Sequence, residues 1–156
     1  MAKPFDDEFH ITSIIAAVKS SMNTKIAAIN AEKSDTVVLR EVEENAYFYD
    51  TWGNELPNYD PCVIFAVNVQ PTGTVGDTTS QRIEILIQLV FASTIAADPL
   101  DLYRFSARYR RVLKELAEAV STRPRANVIP LGGSSFVVKK GGLYYTVGVG
   151  IEINIA

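Results

Sequence analysis

The chain predicts an α+β fold: an antiparallel β-sheet with two main α-helices packed on one face. Three observations point there. Two segments repeat apolar residues at helical spacing, around residues 9–32 and 99–120. Two long apolar stretches, residues 62–70 and 82–92, follow one another with no helix-length segment between them. Parallel neighbours would need a crossover there, so the pair reads as antiparallel. A third alternating run extends to residue 155. The 156 residues fit a single domain, 1–156, long enough to bury a core without disulfide staples.

The first helix is expected from Phe9 to Glu32. Ile11, Ile14, Ile15, Val18, Met22, Ile26 and Ile29 form one stripe, while Lys19, Ser20, Asn23 and Lys25 occupy the other side. That polar side has too few basic residues for a membrane-surface helix. Between residues 34 and 60, DTVVLREV reads as a short strand, and Gly53, Asn54, Pro57, Asn58 and Pro61 mark turns. Tyr47, Phe48, Tyr49 and Trp52 cluster here. They suit either a stacking platform for sugars or bases or a seal on the edge of the core, and the absence of a basic groove in the sequence nearby favours the seal.

CVIFAVNVQ and QRIEILIQLVFA form the predicted strand pair. In the second, Ile83, Ile85, Ile87, Leu89 and Phe91 share the core face; the opposite face becomes too apolar for plain solvent in its latter half. The connecting tip, Pro71, Thr72, Gly73, Thr74, Val75, Gly76, Asp77, Thr78, Thr79 and Ser80, is long for a hairpin and lacks a large apolar anchor. It is expected to be mobile in the free subunit and to dock on another protein.

Asp98 and Pro99 make a good N-cap and first position for the second helix. Leu102, Phe105, Tyr109, Val112, Leu113, Leu116 and Val120 form its buried stripe, and STRPR ends it near Ser121. NVIPL, SSFVVKK and LYYTVGVGIEINIA then read as strands, the latter two supplying sheet residues 136–140 and 143–155. Gly148 and Gly150 clear the outer face of the last strand, for a bend or for the close approach of another element.

The chain offers little to chemistry. Its one histidine, His10, is close to the start, and its one cysteine, Cys62, opens an apolar strand without a basic neighbour in sequence. Neither a nucleophile–histidine pair nor a zinc ligand set is legible, and GGSS at 132–135 lacks the lysine of a phosphate loop. No enzyme activity, cofactor or metal is expected. A lone cysteine fits a reducing compartment. MAKPFDDEFH is acidic and carries no secretion signal, and no apolar run approaches the ~20 residues that span a bilayer, so no membrane association is expected.

Charge is unevenly placed. Net charge is −3, but residues 1–60 hold 5 Lys/Arg against 11 Asp/Glu, and residues 98–125 hold 7 against 4. The two regions either neutralise each other within one chain or attract across a subunit contact. Arg104, Arg108 and Arg111, with Glu115 and Glu118 further along, make one stripe. Cations near a helix start oppose the helix dipole, so local stability does not explain them. They are expected to meet carboxylates of an adjacent subunit; a solvated helix back is the plainer alternative. Three arginines on an acidic chain are weak grounds for nucleic-acid binding.

The order of elements resembles the tail terminator proteins of long-tailed bacteriophages, also called tail-completion or minor tail proteins. The resemblance runs over residues 9–156: an amphipathic N-terminal helix, LPNYDPCVIFAV entering a strand, a hairpin with a long tip, DPLDLYRFSARYRRVLKELAEAV, and a final strand. It implies helices packed on an antiparallel sheet and a homo-oligomer, a hexameric ring, at the head-proximal end of the tail tube. Such a ring ends tube growth and joins the tail to the neck. Its implied partners are the tail tube protein and a neck or connector protein, with DNA passing the lumen without sequence-specific binding. The implied location is the virion tail and neck, after assembly in the host cytoplasm. Another head–tail connector, of the stopper or head-completion kind, is an alternative. So is a small-ligand-binding or enzymatic α+β domain, whose pocket would be lined by residues 83–91, Tyr47 and Trp52.

Overall fold

The computed structural model describes residues 7–49, 60–71, 81–120, 126–130, 135–139 and 142–155. Its elements are α1 (Asp7–Glu32), β1 (Tyr47–Tyr49), β2 (Cys62–Pro71), β3 (Gln81–Ala92), α2 (Pro99–Val120), β4 (Ala126–Pro130), β5 (Ser135–Lys139) and β6 (Gly142–Ile155). A short 3-10 turn, Ser93–Ile95, links β3 to α2. The fold is α+β, as the two sequence periods predict. No helix among the described residues is long and apolar enough to cross a membrane.

The sheet has six strands in the order β1-β2-β3-β6-β4, and β5 also pairs with β6. All pairings are antiparallel except β1 with β2, which is parallel. β3 occupies one edge of β6 over residues 144–155, so β4 and β5 lie end to end along the other. β4 belongs to the sheet although only the later tail strands were expected in it. β1 was not expected as a strand, and its direction departs from a purely antiparallel sheet. The connection to β2, residues 50–61, is about the dozen residues that a parallel return needs.

Register explains which residues are inside. Ile83, Ile85, Ile87 and Leu89 oppose Ile153, Ile151, Val149 and Val147 on one side and Val69, Val67, Phe65 and Val63 on the other. These rows make one face, and both helices pack on it. Phe91 lies 5.2 Å from Tyr109 and 6.4 Å from Phe105, centroid to centroid, which seats α2. α1 contributes Ile14, Val18, Met22, Ile26 and Ile29, each 0–1% exposed. Each fully buried side chain of this size contributes about 1.5–3 kcal/mol. Along residues 83–91, where the alternative reading would place a pocket, Ile83, Ile85, Ile87, Leu89 and Phe91 are all 0% exposed and join the helix stripes in one core cluster.

The second face has a gradient. Cys62, Val90 and Thr146 form a buried row at one end, whereas Gln70, Arg82 and Asn154 form a polar row at the other. The expectation that this face was too apolar for plain solvent holds at the Val90 end. Burial pushes the Cys62 thiol up to about 12, so it remains a protonated core residue.

DTVVLREV is not a strand. Residues 37–43 have no regular hydrogen-bonding pattern, yet Val37, Leu39 and Val42 are buried. The backbone partners here are side chains of the helices instead of a neighbouring strand.

Candidate functional site

The residues with the richest side-chain chemistry lie along this strap, residues 35–42, where it crosses the two helices. Asn30 of α1 brackets Leu39: its Oδ1 accepts from the Leu39 N–H at 2.8 Å, and its Nδ2 donates to the Leu39 carbonyl at 2.9 Å. One helical span earlier, Asn23 does the same for Val42, at 2.8 and 3.0 Å. From α2, the Tyr109 hydroxyl accepts from the Arg40 N–H at 3.0 Å and donates to the Arg40 carbonyl at 3.2 Å. Burial raises the Tyr109 phenol, which keeps it protonated and able to donate. Asn23, placed on the polar side of its helix by the sequence, is a half-buried clamp. Buried backbone groups must find partners, and these side chains supply them.

Three of the four arginines of α2, Arg104, Arg108 and Arg111, lie on the flank beside this strap. Arg108 is buried; its guanidinium donates to the Val37 carbonyl at 2.7 Å and forms a two-pronged ion pair with Asp35. The pairing holds the Asp35 carboxyl below its ordinary range. Arg111 makes a second two-pronged pair with Glu32 of α1, at 2.6 and 3.0 Å, and also reaches Glu115 at 3.0 Å. Its hydrogen bond lowers the Glu32 carboxyl, and in return Glu32 raises the Arg111 guanidinium. Arg104 pairs with Asp101 at 2.7 Å, one turn back on the same helix.

The expected carboxylates of an adjacent subunit lie outside a single chain, and within it Arg104, Arg108 and Arg111 have partners of their own. All three meet carboxylates of their own chain, and two of those, Glu32 and Asp35, belong to the acidic first third. The physical reason is that the arginine stripe is a flank turned toward α1, not the outward side of α2. The outward line runs through Leu100, Tyr103, Ala107 and Lys114, at helical spacing. Leu100 is 56% and Tyr103 72% exposed, the latter the most exposed large apolar side chain among the described residues.

A second feature lies at the other end of the sheet. Tyr47 and Tyr49 both stack on Phe65, with centroids 6.1 and 5.8 Å apart, so this part of the aromatic cluster seals the core edge as expected. Burial pushes the Tyr47 phenol up to about 12. Lys19 of α1 reaches over both rings, 5.2 Å from the Tyr47 centroid and 5.9 Å from that of Tyr49, and donates to the Tyr49 hydroxyl at 3.3 Å. Two adjoining open clefts flank Lys19. One, of about 450 Å³, is lined by Ala16, Lys19, Ser20, Asn23, Val42, Glu44 and Tyr47. The other, of about 390 Å³, is lined by Thr12, Ile15, Ala16, Lys19 and Tyr49. Together they form a groove between α1 and β1. Sequence reading missed it because Lys19 and Tyr49 are brought together only by the fold.

His10 lies edge-on to Phe9, 5.8 Å between ring centres, and among the described residues no group of three or more His, Cys, Asp or Glu is placed to hold a metal ion. Of the expected docking tip, Pro71 closes β2, where it is paired with Gln81; Thr72 to Ser80 lie outside the described residues, as does Trp52. Comparison with protein-family models and with curated proteins finds no match to this chain.

Proposed function

We propose that this chain is a structural subunit of a phage tail terminator ring. Copies close into a ring, with six the expected number, at the head-proximal end of the tail tube, where the ring ends tube growth and joins the tail to the neck. DNA passes its lumen without base-specific contacts. The observation that carries the reading is the order of elements on one open sheet. An N-terminal helix, the β2–β3 hairpin, a second helix and a long C-terminal strand follow in the order of the resemblance, with both helices on one face.

Two features support it. The sheet ends in short strands, β1 and β4, each paired on one side only among the described residues. Such edges invite pairing with another chain unless something covers them, and a ring covers them with its neighbours. The outer end of β2 extends past the buried core, with Asn68, Val69 and Gln70 exposed, at the end that leads into segment 72–80. That is where a docking tip would reach a tube or neck protein.

The test is direct. Purified chain is weighed by light scattering over a range of concentrations and imaged by negative stain, alone and with polymerising tail tube protein. Closed rings that stop tube elongation are expected. A chain that remains monomeric throughout and leaves tube length unchanged overturns the proposal.

A further inference from the structure

The structure carries two unpartnered surfaces of opposite character, at different places on the chain. One is the groove between α1 and β1, lined by the small residue Ala16, aromatic Tyr49 and Lys19 among others. The other is the start of α2, where Leu100 and Tyr103 stand out from the helix next to Asp98. We propose that the groove receives the start of α2 from a second copy of the chain, head to tail. This deepens the ring reading and rests on it.

Shape is the first argument. Leu100 and Tyr103 are one turn apart, so they form a single protruding apolar pair. Exposed apolar side chains grouped in this way mark interaction sites, and Tyr is favoured at the buried centre of interfaces. The groove offers two adjoining hollows, of about 450 and 390 Å³, on either side of Lys19. Charge is the second argument. Lys19 has aromatic rings and a hydroxyl as neighbours but no carboxylate partner among the described residues. Asp98 uses one oxygen to cap Leu100, at 2.9 Å, and has no cation partner among the described residues. One surface thus presents bulk and an anion; the other presents hollows that share the cation Lys19, with Glu44 in the larger one and no carboxylate lining the smaller. Such complementarity sets register and excludes wrong partners. The two surfaces differ, so the contact is heterologous, the kind that closes into rings.

The test uses thiol chemistry, because the native Cys62 is buried and unreactive. Ala16→Cys and Tyr103→Cys chains are mixed and treated with a short bis-maleimide. Cross-linked dimers are expected from the mixture and not from either chain alone, and the double variant should give a ladder ending at ring size. Tyr103→Glu should reduce the mass in solution to that of a monomer while its urea midpoint is unchanged; Lys19→Glu should raise the concentration needed for assembly several-fold. A ring that survives Tyr103→Glu and gives no ladder overturns this contact while leaving the ring reading intact. Cross-linking of Tyr103→Cys with itself indicates a two-fold contact and also overturns it. A wild-type chain that never assembles removes both proposals together.

Discussion

At the scale of single residues, the strap is the most informative part of the molecule. Asn23, Asn30 and Tyr109 each satisfy both backbone polar groups of one strap residue. Removing such a side chain leaves a donor and an acceptor buried without partners. Asn30→Leu keeps the volume and loses the bracket on Leu39, which is 2% exposed. It should lower the unfolding free energy by about 2–3 kcal/mol, read from urea melts, while Ser20→Ala on the exposed side should change little. The ion pairs add a pH signature. Asp35 and Glu32 are held below their ordinary values of 3.8 and 4.5 by Arg108 and Arg111. Their stabilisation is present above those values and is lost as pH falls through the lowered ones, because the unfolded chain then binds more protons than the folded one. Urea midpoints from about pH 6 down to about pH 2.5 should fall more steeply for the natural chain than for Asp35→Asn/Glu32→Gln. Parallel curves would show that these pairs do not link folding to protons.

At the scale of elements, α2 has three sides with three tasks. Its apolar stripe fills the sheet face through Phe105, Tyr109, Val112, Leu113 and Leu116. Its arginine flank binds the strap and the end of α1. Its outward line is left apolar at Leu100 and Tyr103. The contact between the helix and the sheet centres on Phe91, which packs against Phe105, Tyr109 and Tyr145. Phe91→Ala should cost about 3–5 kcal/mol, seen as a lower urea midpoint, since three aromatic rings cannot close over the space. Phe91→Leu should cost markedly less. If the two variants were equally stable, the stack would be a surface decoration and not the seat of α2.

At the scale of the whole molecule, the acidic and basic regions meet within one chain through two ion pairs among the described residues. Of the two outcomes left open by the charge distribution, the internal one accounts for Arg108 and Arg111. Surface ion pairs contribute little individually, so Arg111→Glu should be tolerated more readily than Arg108→Glu, which places a carboxylate in a buried position facing Asp35. Thermal melts of the two variants should differ clearly, with Arg108→Glu the less stable. Equal melts would return the arginine flank to solvent. The edges of the sheet and the apolar start of α2 are surfaces that the described residues leave uncovered, and the proposed ring would use them.

The sequence by itself determined the elements whose side chains repeat with a period. α1, α2, β2, β3 and β6 were legible because one face of each is buried, and burial of a face imposes a period of 3.6 or 2 on the sequence. The capping of α2 by Asp98 was legible for the same local reason, since a cap involves only residues two positions apart. Only the tertiary structure decided the strap, the parallel β1 and the partners of the arginines. Arg108 meets a residue 73 positions away, Arg111 one 79 away, and Tyr109 one 69 away. No local pattern encodes such a partner. A helical wheel tells which residues share a side of α2, but what that side faces depends on where α1 and the strap come to rest on the sheet.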